Sequence, residues 1–214
     1  MVANKIIWTE NIAYAVGVIA SDGNLNKLRK RIQLKCADFE LVNNLKKSLN
    51  LKENIKTTKA KSGRIHYYIM FTQSDFYDFL ISIGVEPKKS HSIKHVLVPK
   101  RFFNDFLRGL FDGDGTFYTF WDTRWRNSFG YQISFSSASK AFISWLKKEN
   151  TKNFSVKGFI RKGKNVYNLR YVKGDTRNLF KMMYYNSHSL SLTRKKMKMV
   201  EAFKKERDIK KKPR

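Results

Sequence analysis

The sequence predicts an α+β fold: a pseudo-twofold pair of αββαββα repeats, each with a curved four-stranded antiparallel sheet. Three observations lead there. AVGVIASDG at 15–23 aligns with LRGLFDGDG at 107–115, matching Gly17 to Gly109, Asp22 to Asp114 and Gly23 to Gly115, always 92 residues on. Later blocks return in the same order, Ala37-Asp38 with Leu45 as Ala138-Ser139 with Leu146 at an offset of 101, and FTQSD ending at Asp75 as YVKGD ending at Asp175 at 100. Finally, hydrophobic periodicity alternates between helical and strand-like in the same sequence in both copies.

Each repeat opens with an apolar helical run that stops at Gly23 or Gly115, in the manner of a C-terminal glycine cap. A strand pair follows, with Ile32, Leu34 and Cys36 alternating against Arg31, Gln33 and Lys35, and Ile133 and Phe135 against Gln132, Ser134 and Ser136. The second copy has nine more residues here, which a longer hairpin absorbs. A helix is expected at 38–49 and 139–149, then a second strand pair at about 53–72 and 154–173, turning at Ser62-Gly63 and Gly163-Lys164. A closing helix completes each unit near 74–83 and 175–186. The first repeat therefore covers 1–86, a connector with Pro87 and Pro99 covers 87–100, the second repeat covers 101–188, and 189–214 form a basic helix and tail.

At 214 residues the chain can bury a core without staples, and its single cysteine, Cys36, excludes an internal disulfide or a Cys-rich zinc site. Lys and Arg number 44 against 17 Asp and Glu, a net charge of +27, while 42% hydrophobic residues exclude a disordered basic tail. Such charge is tolerable mainly where a polyanion screens it, so nucleic acid is the first expected partner. No stretch is apolar for the roughly 18–20 residues of a membrane span. The run at 12–21 lacks the basic flank of a signal peptide, so an intracellular protein, of cytoplasm or organelle, is expected.

On the opening helices Gly17 and Ser21 lie four apart, as do Gly109 and Gly113, giving each a stripe of small residues. Glycine within a helix costs about 1 kcal/mol against alanine. Two such stripes are explained by the helices packing on each other, which brings Asp22 and Asp114 together at one end. Helix C-termini carry negative partial charge, so converging carboxylates call for a cation between them. Oxygen ligands without a His or Cys cluster favour Mg2+.

AVGVIASDG and LRGLFDGDG resemble the two signature motifs of a single-chain LAGLIDADG homing endonuclease, and the resemblance covers most of the chain. It implies that Asp22 and Asp114 are the acidic metal ligands, with Gly23 and Gly115 beside them, and that the sheets form a saddle on double-stranded DNA. The first motif departs at Ala15-Val16 and Ala20, where Leu-Ala and an Asp are usual. It also implies a monomer that makes a double-strand break at a long asymmetric target by Mg2+-dependent phosphodiester hydrolysis, as in intron homing. Mn2+ is expected to substitute, and Ca2+ to bind without supporting cleavage. Gln73 and Lys173, each two residues before an Asp of the closing helix, are candidates to order water.

Alternation nominates the DNA contacts. In the first repeat they are Asn24, Asn26, Lys27, Arg29, Arg31 and Gln33, then Lys35, Lys59, Lys61, Arg64, His66 and Tyr68. In the second they are Tyr118, Arg124, Arg126, Gln132 and Ser134, then Lys157, Arg161, Lys164, Asn168 and Arg170. Arg, Gln and Asn suit base edges, and Lys suits phosphates. Trp121 and Trp125 would either stack on DNA or pack on their own hairpin. Two further readings share the fold: an intron RNA maturase, and a DNA-binding regulator with a retired active site.

Overall fold

The computed structural model describes residues 6–123 and 128–211. Three helices open on side chains that satisfy their first N–H groups: Thr9 for α1 (Glu10–Asp22), Asp38 for α2 (Phe39–Ser48) and Ser139 for α6 (Lys140–Phe154). The first repeat runs α1, β1 (Gly23–Asn26), β2 (Arg31–Cys36), α2, β3 (Lys56–Lys59), β4 (Ile65–Thr72) and α3 (Ser74–Ser82). A one-turn helix α4 (Lys89–Ser92) lies in the connector. The second repeat repeats the series as α5 (Phe103–Asp114), β5 (Thr116–Trp121), β6 (Phe129–Ser137), α6, β7 (Phe159–Lys162), β8 (Tyr167–Val172) and α7 (Lys173–Met183), followed by α8 (Thr193–Lys211). No described helix is long and apolar enough to cross a membrane.

Both sheets are antiparallel, in the orders β1-β2-β4-β3 and β5-β6-β8-β7. Register sorts their faces. Ile32 opposite Phe71 and Leu34 opposite Ile69 are buried toward the helices, as are Ile133 opposite Tyr171 and Phe135 opposite Leu169. The two repeats meet along α1 and α5. A Cβ added to Gly17 would lie 2.2 Å from the Phe106 carbonyl oxygen, and one on Gly109 would lie 2.1 Å from that of Tyr14. The expected seam is therefore a backbone-to-backbone contact.

Four boundaries differ from expectation. Gly23 and Gly115 are not left-handed caps: both are extended, with φ of −70°, and the chain leaves each helix directly into a strand. Glycine is required there because a side chain would strike Ile19 or Phe111 one turn back. Helix α6 continues to Phe154, whose ring is buried 5.8 Å from that of Phe103, and ends on left-handed Ser155. The second strand pairs begin later than expected, at Lys56 and Phe159. Helix α7 starts at Lys173, two residues before its expected start, and ends at Met183.

Alanine at Gly109 is expected to cost about 3 kcal/mol in urea-induced unfolding, as overpacking against a rigid backbone does. Alanine at Gly174, in α7 with nothing within 4 Å of the added carbon, is expected to gain about 0.5–1 kcal/mol by the same measurement.

Candidate active site

The close approach of α1 and α5 continues to their C-terminal ends. A Cβ on Gly113 would fall 1.9 Å from Ser21 Oγ and 2.5 Å from Asp22 Oδ2, so the Asp22 carboxylate reaches across to the turn that carries Asp114. Asp22 is half-buried and Asp114 keeps one edge in solvent. Burial raises both carboxyls above the ordinary carboxylate range, and for Asp114 the charge of Asp22 adds to it, giving about 6. The two acids thus sense each other, as the seam requires.

Two lysines that sequence patterning missed complete the site. Lys195, near the start of α8, donates to the carbonyls of Phe111, Asp112, Gly113 and Gly115 at 2.7, 2.8, 2.9 and 2.6 Å. An ammonium has three hydrogens, so at least one is shared. Lys89, on α4, is buried and donates to the Gly23 carbonyl. Each repeat therefore sends a lysine from just beyond its closing helix back to the end of its own opening helix, where the helix dipole favours a cation. Burial lowers both ammonium pKa values, that of Lys195 to about 8, against the pull of the acids. Their signal in sequence is two lysines among 44 basic residues, with no periodicity to single them out.

The lysines bear on two expectations. The carbonyls of Gly23 and Gly115 each accept from an ammonium with one lone pair, which leaves a second lone pair on each oxygen. Positive charge at the helix ends is also supplied from within the chain.

Asp112 places Lys195. Fully buried, its Oδ2 accepts from the Tyr14 hydroxyl at 2.9 Å across the seam and from the Leu192 N–H at 2.8 Å. Burial lifts its carboxyl to about 7. The start of α8 is also held by α2 of the other repeat, where Arg194 bonds Asp38, Thr193 bonds Glu40 and Asn44 bonds the Ser191 carbonyl. Gln73 and Lys173 are not brought to the site. Ile69 stands in register with Leu34 and so with Gly23, and Gln73 lies four residues beyond it, about 13 Å along the strand and about 10 Å across. Lys173 is likewise three residues past Arg170, at the outer end of β8, and both side chains are exposed.

The comparisons with known proteins agree with this geometry. The homing endonuclease I-WcaI bound to its DNA recognition sequence superposes with a TM-score of 0.61 at 14% identity, over 90% of this chain and 88% of that one. I-DmoI in complex with DNA and Ca gives 0.58 at 19%, over 90% and 97%. This is the LAGLIDADG fold. Full-length DUF199/WhiA from Thermatoga maritima also matches, with a TM-score of 0.57 at 14% identity over 95% of this chain, which spans 63% of that protein. No protein-family model and no curated protein sequence matches.

On this LAGLIDADG scaffold the outward sheet faces carry most of the nominated contacts. Asn24, Asn26, Arg31, Gln33, Lys35, His66 and Tyr68 share the outer face of the first sheet by register, and Tyr118, Arg161, Asn168 and Arg170 that of the second. Lys27, Arg29, Lys61, Arg64 and Lys164 sit in hairpin turns, and Lys157 precedes β7 with its N–H on Asp175. One assignment is corrected. Lys59 pairs with Ile65 and so lies on the helix-side face, while Lys56 and Thr58 face outward instead. Gln132 and Ser134 do face outward but are buried, beneath longer neighbours. Trp121 packs on Phe129 at 5.3 Å with Lys205 over its ring, on its own hairpin. Arg124, Trp125 and Arg126 lie outside the described residues.

The carboxylate pair fits a hard divalent ion. Among the described residues no group of three or more His, Cys, Asp and Glu gathers, and Mg2+ characteristically takes one or two carboxylates, filling its shell with water and substrate phosphate. Because Asp114 titrates at about 6 and must be ionised to ligate, apparent Mg2+ affinity is expected to weaken by about tenfold per pH unit below that value, read by calorimetry. Lys195→Met removes a cation that favours the ionised acids and is expected to move the Asp114 titration upward, measured by carboxyl NMR.

Proposed function

We propose that this chain is a site-specific DNA endonuclease that hydrolyses one phosphodiester in each strand of a long, asymmetric duplex target. The observation that carries this reading is the convergence of Asp22 and Asp114 at the ends of two helices in backbone contact, flanked by the outward faces of two sheets. I-WcaI and I-DmoI share the fold, and both were solved with DNA. I-DmoI structures were obtained with Ca, Mn and Mg, in keeping with divalent-ion use here.

Asp22 and Asp114 would hold the ion, which supplies Lewis acidity toward the scissile phosphate and acidifies water when bound. The chain's own residues do the rest. Lys89 and Lys195 fix the helix ends that aim the acids and bring positive charge next to the phosphate path. Burial and the charge of Asp22 raise the Asp114 carboxyl, while Lys195 and Lys89 draw it back toward the ionised form that a cation needs. The outward strands set register on the major groove, with Lys at phosphates and Arg, Asn and Gln at base edges. Two unlike halves on one polypeptide make a monomer sufficient and the target asymmetric.

A randomised duplex library incubated with Mg2+, Mn2+ or Ca2+ tests the proposal. Cutting is expected with Mg2+ and Mn2+ but not Ca2+, and is expected to fall to background in Asp22→Asn and in Asp114→Asn while duplex affinity persists. One rival that shares the fold is a DNA-binding regulator with a retired active site. Selective duplex binding without cutting by the unmutated protein would establish it, and preference for structured RNA would establish the intron RNA maturase.

A further inference from the structure

The outward rows of the two sheets occupy matching positions and differ in chemistry. In the first sheet the inner strand β2 presents Arg31, Gln33 and Lys35, which are long and at least partly exposed. The matching strand β6 presents Gln132, Ser134 and Ser136. Gln132 is 6% exposed and Ser134 5%. They are sunk because their neighbours are large: Tyr118 and Val172 flank Gln132 in register, and Phe159 lies beyond Arg170. Phe120 lies over Gly130, where an added Cβ would be 2.5 Å from the ring, so the glycine makes the recess in which the ring sits. Phe120, Val172 and Phe159 remain 39%, 41% and 36% exposed, an apolar rim facing away from the core.

Within that rim two donors are buried without an acceptor, Gln132 Nε2 and Arg170 Nε. A buried donor is costly when unpaired, so the face is incomplete until an acceptor enters it. Exposed apolar carbons around unmet donors define the occupant. In the major groove thymine offers a methyl group beside its O4 acceptor, and adenine offers an N7 acceptor that glutamine can address together with N6. A G·C pair has acceptors but no methyl. The surrounding charge, with Arg161 and Lys164 at the edge, suits a polyanion rather than an apolar protein partner.

We infer that the second sheet reads consecutive A·T pairs, through thymine methyls on Phe120, Val172 and Phe159 and through the sunken Gln132 amide, while the first sheet reads its half by charged and polar side chains. The inference rests on the DNA-binding reading above and adds the base composition of one half-site.

The test is selection of bound duplexes from a randomised library, in Ca2+ so that cleavage is not required, by the unmutated protein, Phe120→Ser and Gln33→Ala. The positions that relax in Phe120→Ser mark the half-site under the second sheet, and those that relax in Gln33→Ala mark the other. The selected target is then resynthesised with thymine replaced by uracil in one half at a time, which removes only methyl groups and needs no altered protein. The expected result is a run of A·T pairs in the Phe120 half and a loss of affinity there of about fourfold per methyl, with a change under about twofold in the other half. G·C pairs retained in the Phe120 half, or indifference to uracil there, would overturn the inference and leave the DNA-binding reading standing. A library from which nothing is enriched would overturn both.

Discussion

The contact of α1 with α5 is the constraint on which everything else depends. Two helices whose backbones touch cannot rotate or slide independently, because Gly17, Gly109 and Gly113 leave no room for even a methyl group. That closeness fixes where the two helix ends emerge, and with them the carboxylates of Asp22 and Asp114. It also sets the separation of the sheets, since each strand set begins within two residues of the end of one of these helices. Interiors this dense do not deform gradually.

Much of the fold was legible because it rests on periodicity and small residues, which are local signals. The repeat, the order of elements and the glycine seam all follow from spacing, and the acids follow from the seam. What escaped is carried by long-range contacts. Lys89 and Lys195 reach their carbonyls from segments 66 and 80 or more residues away, and nothing local distinguishes them from other lysines. Gln73 and Lys173 failed for the complementary reason: proximity to a helix start in sequence says nothing about which end of the sheet that start occupies, and register decides it. Lys59 was misplaced by a one-residue shift of phase, and in a strand one residue is the opposite face.

Burial likewise separated residue type from availability. Gln132 and Ser134 have the right polarity and the right face, yet Tyr118 and Val172 rise beside Gln132 and leave it only 6% exposed. Equivalent positions in the first repeat carry longer polar side chains, and Arg31, the counterpart of Gln132, stands between the smaller Asn26 and Thr72. The two halves share a backbone plan and diverge in the surface they offer. Duplication supplies the scaffold, and unequal side chains on it free each half to specialise.

Lys195 belongs to a segment that is secured by both repeats, through Asp112 and Tyr14 on the seam and through Asp38, Glu40 and Asn44 on α2. During synthesis the residues of both repeats leave the ribosome before that lysine does. The two acids are therefore present long before their environment is, and the nascent protein acquires a finished centre only as α8 clears the exit tunnel and locks down across both domains.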